Sequence, residues 1–162
     1  MENKIRRVVT GHTKDGTAIF IDDEKFDPII VPSGDAAMAT IWTTESVPAD
    51  LNDETDGRER NAGTTLNGGS VIRMVDMLPN AVSPFHRSSS IDYGIVISGQ
   101  VELELDNKVF KTLGAGDIIV QKGTIHLWRN PSKDEKCRIV FVLTEAKPFE
   151  VNGQPLEDFM EH

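Results

Sequence analysis

The sequence predicts an all-β fold, and three observations carry that expectation. Thirteen glycines and eight prolines punctuate the 162 residues at short intervals. The runs between them are short and rich in β-branched and aromatic side chains. One run, Gln100-Val101-Glu102-Leu103-Glu104-Leu105-Asp106, alternates apolar and acidic residues without a break, which is the period of a strand with one wet face.

The first predicted strand is Ile5 to Thr10, where Ile5, Val8 and Val9 supply the β-formers. Thr17 to Ile21 follows Gly16 and holds Ile19, Phe20 and Ile21. Ala36 to Thr43 carries Met38, Ile41 and Trp42, which are candidates for core, pocket or subunit contact. Val71 to Met77 opens as an apolar run interrupted by Arg73. Tyr93 to Ile97 ends at Ser98-Gly99, and Val101 to Leu105 is the alternating run. Asp106-Asn107-Lys108 offers a tight turn into Val109-Phe110, which makes a hairpin. Asp117 to Val120 and Ile125 to Trp128 flank Gly123, and Arg138 to Thr144 completes the set, with Cys137 expected as a small buried hydrophobe. No run supports a helix of three turns, and Leu156 to His162 is expected to form a short one.

Residues 45–69 differ in composition. They are rich in acids, glycine and asparagine and nearly devoid of large apolar side chains, so little burial offsets the entropy of ordering them. They read as a surface loop, or as a lid or partner-contact loop. The chain therefore divides into N-terminal strands plus this loop (1–69), a barrel core (70–145) and a C-terminal tail (146–162).

Composition narrows the function classes. A chain of this length buries enough surface to fold without disulfide or metal. No apolar run approaches the roughly 20 residues of a membrane helix, and no apolar stretch follows the first charges, so a cytoplasmic protein without membrane partner is expected. One cysteine, Cys137, excludes an internal disulfide and a multi-cysteine zinc site. A net charge of −9 disfavours nucleic acid as a partner. A small-molecule substrate is the expected partner.

Of the four histidines, His12, His86, His126 and His162, two have informative surroundings. His86 opens His86-Arg87-Ser88-Ser89-Ser90-Ile91-Asp92, and His126 lies in Gly123-Thr124-Ile125-His126-Leu127-Trp128-Arg129-Asn130. Histidine titrates near neutral pH, and a nearby carboxylate raises its affinity for a proton and fixes its tautomer. A His86–Asp92–His126 cluster in an apolar barrel can therefore serve as general base and general acid. Strand parity puts Trp128 on the face of His126, and Gly94 and Val96 on the face of Asp92; it sends Tyr93 away and puts Arg87 and Arg129 on the rim or exterior. Arg73 reads either as a solvated outer-face residue or, if inward, as a clamp for a substrate carboxylate.

The segment from about Val71 to Thr144 resembles a cupin, a double-sheet jelly-roll β-barrel. That family's second motif, G-x5-P-x-G-x2-H-x3-N, is met in register by Gly123, His126 and Asn130, with Gln121 in place of proline and Gly116 one residue nearer to it than the motif's first glycine. Its first motif, G-x5-H-x-H-x3,4-E-x6-G, is degraded to His86, Ser88, Asp92 and Gly99. In metal-binding cupins the matching positions hold a divalent metal, so the resemblance implies His86, Asp92 and His126 as ligands of one ion: iron, manganese, zinc or nickel. Ser88, a poor neutral ligand, stands where a histidine would be, and Asp92 reaches about one bond less far than glutamate. The resemblance also implies a homodimer formed through the extra N-terminal strands, which would cover exposed strand edges. With no nucleotide fingerprint or organic-cofactor motif, the expected function is a lyase, a decarboxylase or dehydratase acting on a compact organic acid or polyketide-like substrate. In that reading Arg73, Ser88 and Trp128 bind substrate. The rivals are a non-haem metal-dependent dioxygenase and a non-enzymatic ligand-binding module.

Overall fold

The computed structural model describes residues 4–63 and 68–161. Among them the one helical element is a single 3-10 turn at Asp106–Lys108, and all other regular structure is strand. In chain order the strands are β1 (Ile5–His12), β2 (Ala18–Phe26), β3 (Ile29–Ile30), β4 (Ala36–Thr44), β5 (Ser70–Met77), β6 (His86–Arg87), β7 (Ser90–Ser98), β8 (Gln100–Glu104), β9 (Phe110–Gly114), β10 (Ile118–Lys122), β11 (Leu127–Arg129), β12 (Cys137–Glu145), β13 (Glu150–Val151), β14 (Gln154–Pro155) and β15 (Phe159–Met160).

These form a jelly-roll barrel. A six-stranded sheet in the order β10-β7-β12-β5-β4-β3 faces a three-stranded sheet, β11-β8-β9. The alternation of β8 sets the packing: Val101 and Leu103 point inward and are buried. With Trp128 from β11 they meet Met77, Val96, Cys137 and Ile139 of the larger sheet in one apolar cluster. Each such side chain contributes about 1.5–3 kcal/mol by leaving water. The alternation ends one residue early, because the strand stops at Glu104 and Leu105 leads half-exposed into the turn. Asn107 and Lys108 hold positive φ there, which lets three residues reverse the chain into β9.

The N-terminal hairpin β1–β2 is a separate two-stranded sheet. Arg7, 5% exposed, fixes it by reaching Asp22, Glu24 and, across the chain, Asp56 at 2.6–2.8 Å. The described part of 45–69 forms no strand, yet it is tied down: the Thr43 hydroxyl donates to the Gly57 carbonyl, Arg60 donates to the Thr43 carbonyl and pairs with Asp53, and Arg73 donates to the Gly63 carbonyl. Polar bonds replace the missing apolar burial. Residues 64–67 of that loop lie outside the described residues.

The short helix expected at Leu156–His162 is not what forms. Phe159–Met160 is a strand antiparallel to β6, with Phe159 opposite Arg87 and Met160 opposite His86. The free backbone edge of β6 supplies hydrogen-bond partners that a lone helical turn would have to find within itself. His162 lies outside the described residues.

Candidate functional site

The fold joins two distant segments at the histidines. The His86 N–H donates to the His126 carbonyl at 2.9 Å, and the His126 N–H donates back to the His86 carbonyl at 3.0 Å. That reciprocal bridge leaves the two imidazoles with ring centroids 4.1 Å apart, tilted by 57°. Asp92 on β7 pairs in register with Gln121 on β10 and Leu143 on β12. All six residues singled out from the sequence, Arg73, His86, Ser88, Asp92, His126 and Trp128, line one cavity of about 220 Å³ inside the barrel. Arg73 thus faces inward. A larger cleft of about 390 Å³, at Arg87, Lys122, Lys147 and Phe149, adjoins this cavity at Ser88 but contains neither imidazole nor Asp92, so the acid–base groups belong to the smaller cavity.

Backbone carbonyls set the histidine tautomers. His86 Nδ1 lies 2.9 Å from the Pro84 carbonyl and His126 Nδ1 lies 2.9 Å from the Thr124 carbonyl. A carbonyl only accepts, so in each neutral ring Nδ1 carries the hydrogen and Nε2 keeps its lone pair. The Gln121 amide nitrogen is 2.9 and 3.0 Å from the two nitrogens of His126. An atom equally near both must sit over the ring face, because in the ring plane it would collide with Cε1. The amide therefore stacks on His126 and leaves the Nε2 lone pair uncapped.

His126 is 2% exposed. Burial, then the charge of His86, push its pKa down to about 4, against the opposing bond to Thr124. His126 is accordingly neutral at physiological pH. Burial moves Asp92 the other way, raising its pKa, against the Ser90 hydroxyl bond at 2.5 Å and the positive fields of His86 and Arg73. Its second oxygen accepts from the Gln121 amide at 3.3 Å. Ser88 lies 3.2 Å from Ser90, so the serine at the degraded motif position continues the hydroxyl chain to Asp92. Burial also lowers the pKa of Arg73, opposed by the charge of Asp92.

The motif resemblance implies a metal held by His86, Asp92 and His126. Two donors fit: imidazole nitrogens whose Nδ1–H is held by a carbonyl, as ligating histidines usually are. The third does not join them. Among the described residues no group of three His, Cys, Asp or Glu is placed to hold an ion, and the oxygens of Asp92 are engaged by Ser90 and Gln121.

Other sequence expectations find their places. Trp128 shares the cavity face with His126 and packs edge-on to Phe141. Tyr93 points out, as parity requires. Arg129 lies outside and pairs with Glu102 and Glu104. Met38 lines the cavity, whereas Trp42 lies under Arg7. Gly94 opens no space beside Asp92; a Cβ there would meet Ile119 and Phe141 at 2.7 and 2.9 Å, so the glycine accommodates those side chains. Gln121, Phe141 and Met160 also line the cavity and were not foreseen. For Gln121 a signal existed, since it occupies the proline position of the second motif; for Phe141 it was parity with Ile139 and Leu143.

Comparison with known proteins agrees with this architecture. Residues 73–143 match the family model described as "Cupin domain". "Phomopsin biosynthesis cluster protein C'" of Diaporthe leptostromiformis is 39% identical over 159 residues, covering 93% of this chain and 83% of that protein. "Cupin-domain-containing oxidoreductase virC" of Hypocrea virens is 35% identical over 161 residues, covering 96% of this chain and 81% of that protein. A solved double-stranded β-helix protein of Klebsiella pneumoniae superposes with a TM-score of 0.54 at 19% identity, covering 83% of this chain and 90% of its own, which is a likeness of fold. With the paired sheets, the histidine at the second motif and relatives aligned over nearly the full length, the chain belongs to the cupin family.

Proposed function

We propose that this cupin is an enzyme of secondary metabolism that transforms a compact organic acid by proton transfer, as a decarboxylase or dehydratase does. The names of its relatives, biosynthesis cluster proteins and cupin-domain-containing oxidoreductases, support an enzymatic role in such metabolism. The observation that carries the proton-transfer reading is the histidine pair: two imidazoles 4.1 Å apart, oriented by carbonyls, with burial holding His126 neutral.

His126, neutral with its Nε2 lone pair uncapped, is the base. His86, whose ring lies 4.1 Å from that of His126 and which lines the same cavity as Asp92, is positioned as the acid. Arg73 anchors the substrate carboxylate in the buried cavity, and Trp128 and Phe141 form the apolar wall. An oxidative reaction is the second reading, favoured by the word oxidoreductase in several relatives' names; a metal held at the two imidazoles would supply its redox chemistry.

The test is a screen of small carboxylic acids in deuterated water with chelator-treated protein. The proposal expects deuterium at the carbon adjacent to the carboxylate or its leaving group, with the rate falling about 10²–10⁴-fold in His126→Ala. Turnover that requires stoichiometric iron and consumes oxygen would establish the second reading instead.

A further inference from the structure

Met160 lines the cavity, but the strand that carries it belongs to neither sheet of the barrel. Strand β15 is two residues long and pairs with β6 alone. Among the described residues, the hydrogen bonds of 157–161 go to one stretch, residues 85–89, while the Leu156 N–H donates to the Phe149 carbonyl at 2.8 Å and anchors the base of the segment. The Glu161 N–H donates to the Phe85 carbonyl at 2.8 Å, and the Phe85 N–H donates to the Glu161 carboxylate at 3.2 Å. The Asp158 carboxylate accepts from both the N–H and the hydroxyl of Ser89, each at 2.8 Å. Arg87 donates to the Glu157 carbonyl at 3.4 Å. These side-chain bonds are solvent-exposed, and Phe159 and Met160 are themselves about half exposed.

Strand β12 shows the contrast. It is paired along both edges, with β5 and β7, and buries Cys137, Ile139 and Leu143. A segment with exposed hydrogen bonds and little apolar burial opens at far lower cost than a doubly paired core strand. The stretch it would leave is the one that holds His86.

We propose that residues 156–161 are a removable wall of the cavity. The strap peels from residues 85–89, withdraws Met160 from the cavity and opens the approach to His86, then closes again by the same bonds. The gated site is the one assigned above to acid–base chemistry, so the ligand class, a compact acid with an apolar flank to lie against Met160, rests on that reading. The gate itself does not.

Hydrogen–deuterium exchange of the full chain tests it without turnover, so failure of the gate and failure of the catalytic reading are distinguishable. The Glu161 amide is expected to exchange at least about 100-fold faster than the amides of Val140 and Phe141 in β12. Asp158→Ala, a change at an exposed side chain, is expected to speed exchange at Glu161 and Ser89 several-fold further. It should also speed exchange of the His86 ring Cε1–H, measured on the alkaline plateau, while the exposed His12 ring keeps its rate. Equal protection of Glu161 and β12, or an Asp158→Ala protein whose His86 ring exchanges at the wild-type rate, overturns the proposal.

Discussion

Lowering the pH should destabilise this protein through His126. The imidazole is buried, and its pKa falls from an ordinary 6.5 to about 4 on folding. Each tenfold change in proton affinity is worth about 1.4 kcal/mol, so the displacement amounts to about 3 kcal/mol. The sign follows from proton counting. Between pH 6.5 and 4 the unfolded chain holds the proton and the folded chain does not, so acid pulls the equilibrium toward the unfolded state. The contribution is complete above pH 6.5 and is lost as pH falls, with about 2.5 kcal/mol gone by pH 4.5. Asp92 acts with the opposite sign, because burial raises its pKa and the folded state is then favoured by protonation. Urea unfolding from pH 7.5 to 4.5, with chelator present, should be compared between wild type and His126→Asn. The shorter amide cannot titrate, and the Asp92 contribution is common to both proteins. The wild type should lose about 2.5 kcal/mol more than the variant across that range. Parallel profiles would refute the assignment of a buried, neutral His126.

Other consequences are local. Asp76, 1% exposed, accepts from Lys136 and Arg138 at 2.6–2.7 Å; Asp76→Ala should cost about 3–5 kcal/mol in urea unfolding, since it breaks a buried ion network from one side. Gly94→Ala drives a methyl into Ile119 and Phe141 and should cost about 1–3 kcal/mol, read the same way. Phe20 and Ile21 of β2 and Ile29 and Ile30 of β3 are exposed apolar side chains on the N-terminal strands. If these strands pair two copies, as the family resemblance leads us to propose, Phe20→Lys should convert a dimer into a monomer in sedimentation equilibrium.

Much of the fold was legible because a strand with one buried face writes its period into the sequence. The alternation of Val101 and Leu103 marks β8, and parity alone turns Trp128 to the face of His126 and Tyr93 away from that of Asp92. The histidines were legible because motif spacing fixes where a short turn returns the chain to the barrel. The less legible parts depend on partners far away in sequence. The Arg7–Asp56 pair joins two segments with no shared periodicity. Strand β15 exists only because β6 leaves an edge open, so its own composition suggested a helix. The inward turn of Arg73 likewise depended on the register of β5 against β4 and β12. Gln121 was visible as a motif departure, but its stacking on His126 needs both strands in place.

The central claim is that the cavity holds two imidazoles oriented through Nδ1–H, with His126 neutral and its Nε2 open. Long-range proton–nitrogen correlation NMR of the ¹⁵N-histidine-labelled protein reads this directly. The prediction is a protonated Nδ1 and an unprotonated Nε2 for His126 that persist as pH is lowered toward about 4. A His126 that carries its hydrogen on Nε2, or becomes fully charged near pH 6.5, would contradict it.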